Sequence, residues 1–323
     1  MKTKGNVLLT VALASLLAAS AFAADYRAPR MPDGTPDLQG VWTNATATPM
    51  ERSPELGERR AFTEQEAAAI SKAAIAAVEA DAAPSDPNKK IEAISSLPPV
   101  GNYNLFWTDR GMTVANINGE WRTSMIIEPA NGRIPALTAA AQQRIAARAA
   151  HTNDGPEGRA LGERCLLSFG SLAGPPMTPT MYNSYYQIVQ SPGYVMILAE
   201  MVHDARIIRI QDHHVPSGIK KWMGDSIGHW EGDTLVIETR NFRPEQSFRG
   251  SSENAVVTER LTRVAKDKII YHFTFDDPTT FTSSFTGELP FVPVDANIYE
   301  YACHEGNYAL PGILSGAREA EKE

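Results

Sequence analysis

The chain lacks several things that narrow what it does. It has only two cysteines in 323 residues, Cys165 and Cys303. No dense disulfide scaffold or four-cysteine zinc site can be built from so few. After residue 19 no apolar run approaches the roughly 20 residues needed to span a bilayer. There is no HExxH pair, no Gly-rich phosphate loop and no Gly-x-Ser-x-Gly elbow, so zinc proteolysis, nucleotide chemistry and serine hydrolysis lose their usual signatures. Basic residues are outnumbered, with 30 Lys and Arg against 38 Asp and Glu and a formal net charge of −8. That balance repels nucleic acid and anionic lipid. No internal repeat is visible.

What is present begins with a leader. Lys2 and Lys4 precede an apolar segment from Val7 to Ala19, and Ala21-Phe22-Ala23 offers small residues where a signal peptidase cuts. Residues 1–23 therefore read as a secretory signal peptide and the protein as periplasmic or secreted, with no membrane insertion after cleavage. In an oxidising compartment, two distant cysteines predict a single disulfide, Cys165–Cys303.

Residues 24–110 read as an extended arm with one helix. Pro29, Pro32, Pro36, Pro49 and Pro54 exclude a long helix at its start, and Leu38, Val41 and Trp42 are apolar anchors for docking on the body. Thr63 with Glu66 three residues on forms a capping box, predicting an Ala-rich helix to about Ala80. Residues 111–323 read as a β-barrel domain with one inserted helix. Asn118-Gly119 between Met112–Ile117 and Glu120–Ile127 is a two-residue hairpin turn. Thr138 caps a second Ala-rich helix to about Ala150, with Arg144 and Arg148 on a wet face.

From Tyr185 onward, strands are expected at 185–190, 194–201, 206–210, 226–230, 234–239, 256–264, 268–275, 280–289 and 298–303. Consecutive strands without intervening helices predict a mainly β fold, an antiparallel meander closing into a lipocalin-like barrel or half-barrel. Two Ala-rich helices and a long N-terminal arm complete the expected architecture.

Chemistry concentrates in two places. In Tyr299–Tyr308, a strand would put Glu300, Ala302 and His304 on one face and Tyr299, Tyr301 and Cys303 on the other. At 200–206, Glu200, His203, Asp204 and Arg206 gather at a strand end, where acid and base groups can be tuned by burial and neighbours. The plainer alternatives stay open: packed tyrosines and a solvated strand end in the first place, a salt-bridged turn in the second. Asp212, His213 and His214 with His203 suggest a metal, but adjacent histidines on a strand point apart, so no metal and no other cofactor is expected. Arg122 and Arg164 are the candidate anion-stabilising groups outside the meander. Trp107, Trp222, Tyr103 and Tyr301 are candidates for holding an aromatic ligand at a barrel mouth, with Trp121, Trp230 and Tyr182 as further rings.

The motifs Pro36-Asp37-Leu38-Gln39-Gly40-Val41-Trp42, Arg122-Thr123-Ser124, Glu163-Arg164-Cys165, Gly174-Pro175-Pro176-Met177, residues 222–235 and Tyr301-Ala302-Cys303-His304-Glu305-Gly306-Asn307-Tyr308 resemble a large family of exported bacterial proteins of mostly unassigned function. The chain is also similar to exported lyases that remove a hydroxymethyl carbon from lignin-derived phenylcoumarans as formaldehyde. That resemblance implies a cofactor-independent lyase in aromatic compound catabolism and lignin degradation, acting on a small aromatic molecule. The resemblance matches no catalytic positions; from the residues themselves, loss of formaldehyde would use His203 or His304 as the base, Glu200 and Glu300 as acid or orienting groups, and Arg122, Arg164 or Tyr301 to stabilise a phenolate. The alternative is a non-catalytic binding protein for a hydrophobic aromatic molecule. A homo-oligomer is compatible with either.

Overall fold

The computed structural model describes residues 26–82, 108–167, 174–180, 182–245 and 248–322. In chain order the elements are β1 Gly40–Thr43, β2 Ala61–Phe62, α1 Glu64–Ala82, β3 Asn116–Ile117, β4 Glu120–Arg122, β5 Ile126–Glu128, α2 Ala139–Ala150, β6 Tyr185–Ser191 and β7 Tyr194–Ala199. They continue with β8 Ala205–Ile210, β9 Asp225–Glu231, β10 Thr234–Arg240, β11 Val256–Ala265, β12 Lys268–Asp276, β13 Phe285–Pro293 and α3 Ala309–Ala320. The leader at residues 1–23 lies outside the described residues, as do Tyr103 and Trp107.

Local chemistry explains several of these boundaries. At α1, Thr63 Oγ1 accepts from Glu66 N at 3.2 Å while Glu66 Oε2 accepts from Thr63 N at 2.8 Å. Thr138 Oγ1 accepts from Ala141 N at the start of α2. Asn118 (φ 53°) and Gly119 (φ 84°) form the turn between β3 and β4 in the left-handed region that a tight hairpin needs. That hairpin joins β2 in a small separate sheet, ordered β2-β4-β3.

The main sheet runs β1-β6-β7-β8-β9-β10-β11-β12-β13 and closes where β13 pairs with β1, a nine-strand barrel with β5 added alongside β13. Closure removes the exposed edges that would otherwise pair with other chains. The segment 24–110, expected as an extended arm with one helix, supplies β1. Trp42 pairs with Tyr186 on one side and Pro293 on the other and is 2% exposed.

Three strand expectations change. The meander is antiparallel except at β8 and β9, which run parallel, joined by the crossover at residues 211–224. The strand expected at 280–289 begins later, at Phe285, because the Asp277 carboxylate gathers Ser252, Thr279 and Thr280 and holds 277–282 as a turn. The strand expected at 298–303 is irregular chain with turn hydrogen bonds, Cys303 N to Tyr301 O and Glu305 N to Ala302 O. With β13 already paired to β1, the ring offers no position for it.

The interior of the ring is lined by buried apolar side chains. Register places Tyr186, Ile188, Val195, Ile197, Ile208, Leu235, Ile237, Val257, Leu261, Tyr271, Phe273, Phe275, Phe285, Leu289 and Phe291 inward, each 2% exposed or less. Phe275 stacks on Phe285 with ring centroids 5.3 Å apart, and Tyr186 stacks on Phe291 at 5.2 Å. Gly287 faces Phe273 so closely that a Cβ there would lie 2.4 Å from its ring. The helices sit outside. Arg144 and Arg148 of α2, expected on a wet face, dock on the barrel rim through Thr280 Oγ1 (2.7 Å) and Glu245 O (3.1 Å). A third helix, α3, was not expected inside 111–323.

Candidate site at one barrel mouth

The end of the barrel formed by the end of β7 and the starts of β6, β8, β9 and β11 is roofed by irregular chain. At its centre the wall carries a buried charge pair. Arg206 on β8 and Glu259 on β11 join by two hydrogen bonds, one of them Nη2 to Oε1 at 2.9 Å. Tyr271 OH donates to Glu259 Oε1 at 2.7 Å and accepts from Met177 N at 2.9 Å, which ties the roof segment 174–180 to the core. Burial, with the Glu259 charge, pushes the Tyr271 phenol well above its usual range. Burial alone would lower the Arg206 guanidinium, but the Glu259 charge and hydrogen bonds, with Tyr271 and Tyr186, together raise it.

Above this pair, between β7 and β8, the chain turns through Val202 (φ 69°) and His203 (φ 49°). A β-branched residue in the left-handed region is strained, by about 1–3 kcal/mol, and such strain clusters at functional sites. Glu200, 1% exposed, accepts from Asn183 Nδ2 and from Tyr299 N, each at 3.2 Å. His203 Nδ1 lies 3.0 Å from the Tyr301 carbonyl oxygen. A carbonyl only accepts, so Nδ1 carries the proton in the neutral ring and Nε2 keeps its lone pair. Both residues clamp the 299–301 segment. Cys303 is bonded to Cys165 with S–S 2.06 Å, and Asn307 Nδ2 donates to Glu163 O at 3.0 Å.

Three phenols stand at this mouth. Burial raises the pKa of Tyr301, with a contribution from Tyr182. Burial also raises Tyr185, helped by the Asp109 and Glu200 charges. At neutral pH Tyr185 and Tyr301 therefore stay protonated and act as hydrogen-bond donors.

Of the residues singled out in the sequence, the structure gathers Glu200, His203, Tyr301 and Cys303 with its partner Cys165. Arg164, half-buried, adjoins the disulfide. Glu300 and His304 point outward on exposed chain, and because residues 298–303 form no strand the shared face expected for them does not exist. Arg122, 2% exposed, sits on β4 of the small separate sheet, paired with Glu120 and with Glu288 at 2.5 Å. Trp222 lies beneath the Arg243 guanidinium, 4.2 Å from the ring centroid.

Asp109 and Tyr185 were missed. Tyr185 reads as an ordinary strand residue, and nothing local marks its neighbours. Among the described residues no group of three or more His, Cys, Asp or Glu side chains is placed to hold a metal ion. No helix among them is long and apolar enough to cross a membrane. Compared with protein-family models, curated proteins and solved structures, the chain matches none.

Proposed function

We propose that this protein is a cofactor-independent, periplasmic carbon–carbon lyase that acts on a phenylcoumaran-type aromatic dimer at the roofed barrel mouth. A lipocalin-like ligand carrier holds its cargo centrally; here rings fill the centre, so the mouth is where a small molecule meets reactive groups. The observation that carries the reading is the strained Val202–His203 turn, which presents an imidazole whose Nδ1 proton is fixed by the Tyr301 carbonyl.

In the proposed reaction His203 Nε2 takes the proton of the substrate's primary hydroxyl. The O–H electrons form the carbonyl of formaldehyde as the adjacent carbon–carbon bond breaks. That bond's electron pair becomes a carbon–carbon double bond, and the ring ether leaves as a phenolate, which regains a proton. Neutral Tyr185 and Tyr301, both held above the usual phenol range, are donors suited to the departing oxygen. Glu200 is a positioning residue, since both its oxygens hold neighbouring chain. The disulfide and the lack of a membrane-crossing helix among the described residues fit export to the periplasm.

The test is release of one formaldehyde per dimer consumed. His203→Gln should lower the rate at least about 100-fold, the usual worth of a general base, while His304→Gln stays within a few-fold. No formaldehyde from wild-type protein across several such dimers rules the lyase out. Binding without turnover, unaffected by His203→Gln, would leave the binding-protein alternative.

A further inference from the structure

Beside the phenols lies a cleft of about 480 Å³, within the size range of small-molecule sites. Its base is apolar, with Met50, Met125 and Phe248 among its lining, and Thr178 adds a hydroxyl. Met125 and Phe248 are each 5% exposed, so this base is part of the folded body. Arg110 and Arg249 also line it, both exposed. No Asp or Glu is among the described residues lining the cleft. The two guanidiniums place positive charge at the rim of the cleft in a chain of net charge −8. Arg249 is held in the left-handed region, φ 56°, between Phe248 on the cleft base and Gly250, which packs on Ile145 of α2.

The cleft and the phenols are built on the same two segments. Arg110 follows Asp109, whose charge acts on Tyr185. Thr180 lines the cleft and its Oγ1 accepts from Tyr182 N at 3.3 Å. A molecule with one ring at Tyr182, Tyr185 and Tyr301 would therefore extend its other end over Met125 and Phe248 toward the two guanidiniums.

We propose that this cleft is a binding subsite for an aromatic ring bearing a carboxylate, with Arg249 and Arg110 recognising the anion and the methionines and Phe248 taking the ring. It rests on the proposed use of this mouth by a two-ring molecule and adds that the end remote from the reacting bond is anionic. Guanidinium is the side chain best matched to a carboxylate's two oxygens, and the apolar base excludes water from the ring face.

The test compares biphenyl-4-carboxylate with its neutral isostere biphenyl-4-carboxamide by calorimetric titration of the full-length mature protein. The carboxylate should bind at least tenfold more tightly at low salt, and the gap should narrow as salt is raised. Arg249→Gln combined with Arg110→Gln should bring the two probes within about twofold of each other while the melting temperature holds. Equal binding of the two probes in wild type overturns the subsite, as does failure of both to bind or a preference that survives the double substitution. The readout is binding alone. Absence of formaldehyde release from the wild type with the preference intact therefore counts only against the lyase, and a missing preference in a protein that still releases formaldehyde counts only against the subsite.

Discussion

The barrel's interior and its roofed mouth are built on opposite plans. Inside, long strands alternate regularly, side chains stack ring on ring, and the Arg206–Glu259 charge pair takes a further hydrogen bond from Tyr271 OH. At the mouth, the chain is irregular, Val202, His203 and Arg249 occupy the left-handed region, and a disulfide holds down a segment that joins no sheet. An interior packed ring on ring provides a stiff frame, and a stiff frame lets a few strained residues hold a reactive geometry. The contrast between frame and mouth can be broken or sharpened by substitution.

The largest effect belongs to the frame. Glu259→Ala leaves the Arg206 charge buried without its partner and should destabilise the fold by about 3–5 kcal/mol in urea denaturation; a loss under about 1 kcal/mol would mean that the interior is wetter and looser than described. Replacing Cys165 and Cys303 together by Ser opens a link across a sequence separation of 138. It should cost about 2–4 kcal/mol. Hydrogen exchange should then rise in 299–322 and stay slow in β11 to β13; equal loosening of both would erase the distinction between them.

Val202→Gly should behave unlike a core deletion. The buried valine side chain is lost, but the left-handed strain is relieved, so stability should shift by no more than about 1 kcal/mol, the two contributions being of similar size. Turnover should fall if the turn positions His203. A full core-type penalty with unchanged turnover would remove strain from the account.

The smallest effect is one of pH. Burial alone would raise Asp277, but hydrogen bonds from Thr280, Ser252 and Thr279 outweigh it and hold the carboxyl below its usual range. A depressed folded pKa means that its contribution is present above the unfolded value and lost as pH falls through the folded one. Stability should therefore decline below about pH 4, and Asp277→Asn should flatten that decline. An unchanged acid slope would show that Asp277 is not among the groups responsible.

Much of the frame was legible because its signals are local. The Thr63–Glu66 box, the Thr138 cap, the Asn118-Gly119 turn and the alternation through 226–239 and 256–275 each state their structure within a few residues. The disulfide followed from there being only two cysteines to join. Strand direction was not legible, because alternation with period two is the same in parallel and antiparallel pairs; hence the surprise at β8 and β9. Residues 298–303 alternate like a strand, yet ring closure elsewhere left them nothing to pair with. The local signal for α3 is weak, since Pro311, Gly312 and Gly316 are poor helix formers. At the site, Arg206 was grouped with Glu200, His203 and Asp204, because its partner Glu259 lies 53 residues away in the sequence. His203 and Glu200 were found from their chemistry, whereas the company of Tyr185 and Asp109 depends on folding that brings distant loops together.

The most direct test of where the chemistry sits is amide hydrogen exchange with and without a bound phenylcoumaran dimer. New protection should fall on residues 182–185, 200–206 and 299–303, with β11, β12 and β13 unchanged. Protection appearing instead along those three strands, with the mouth segments unaltered, would place the ligand inside the ring and contradict the account.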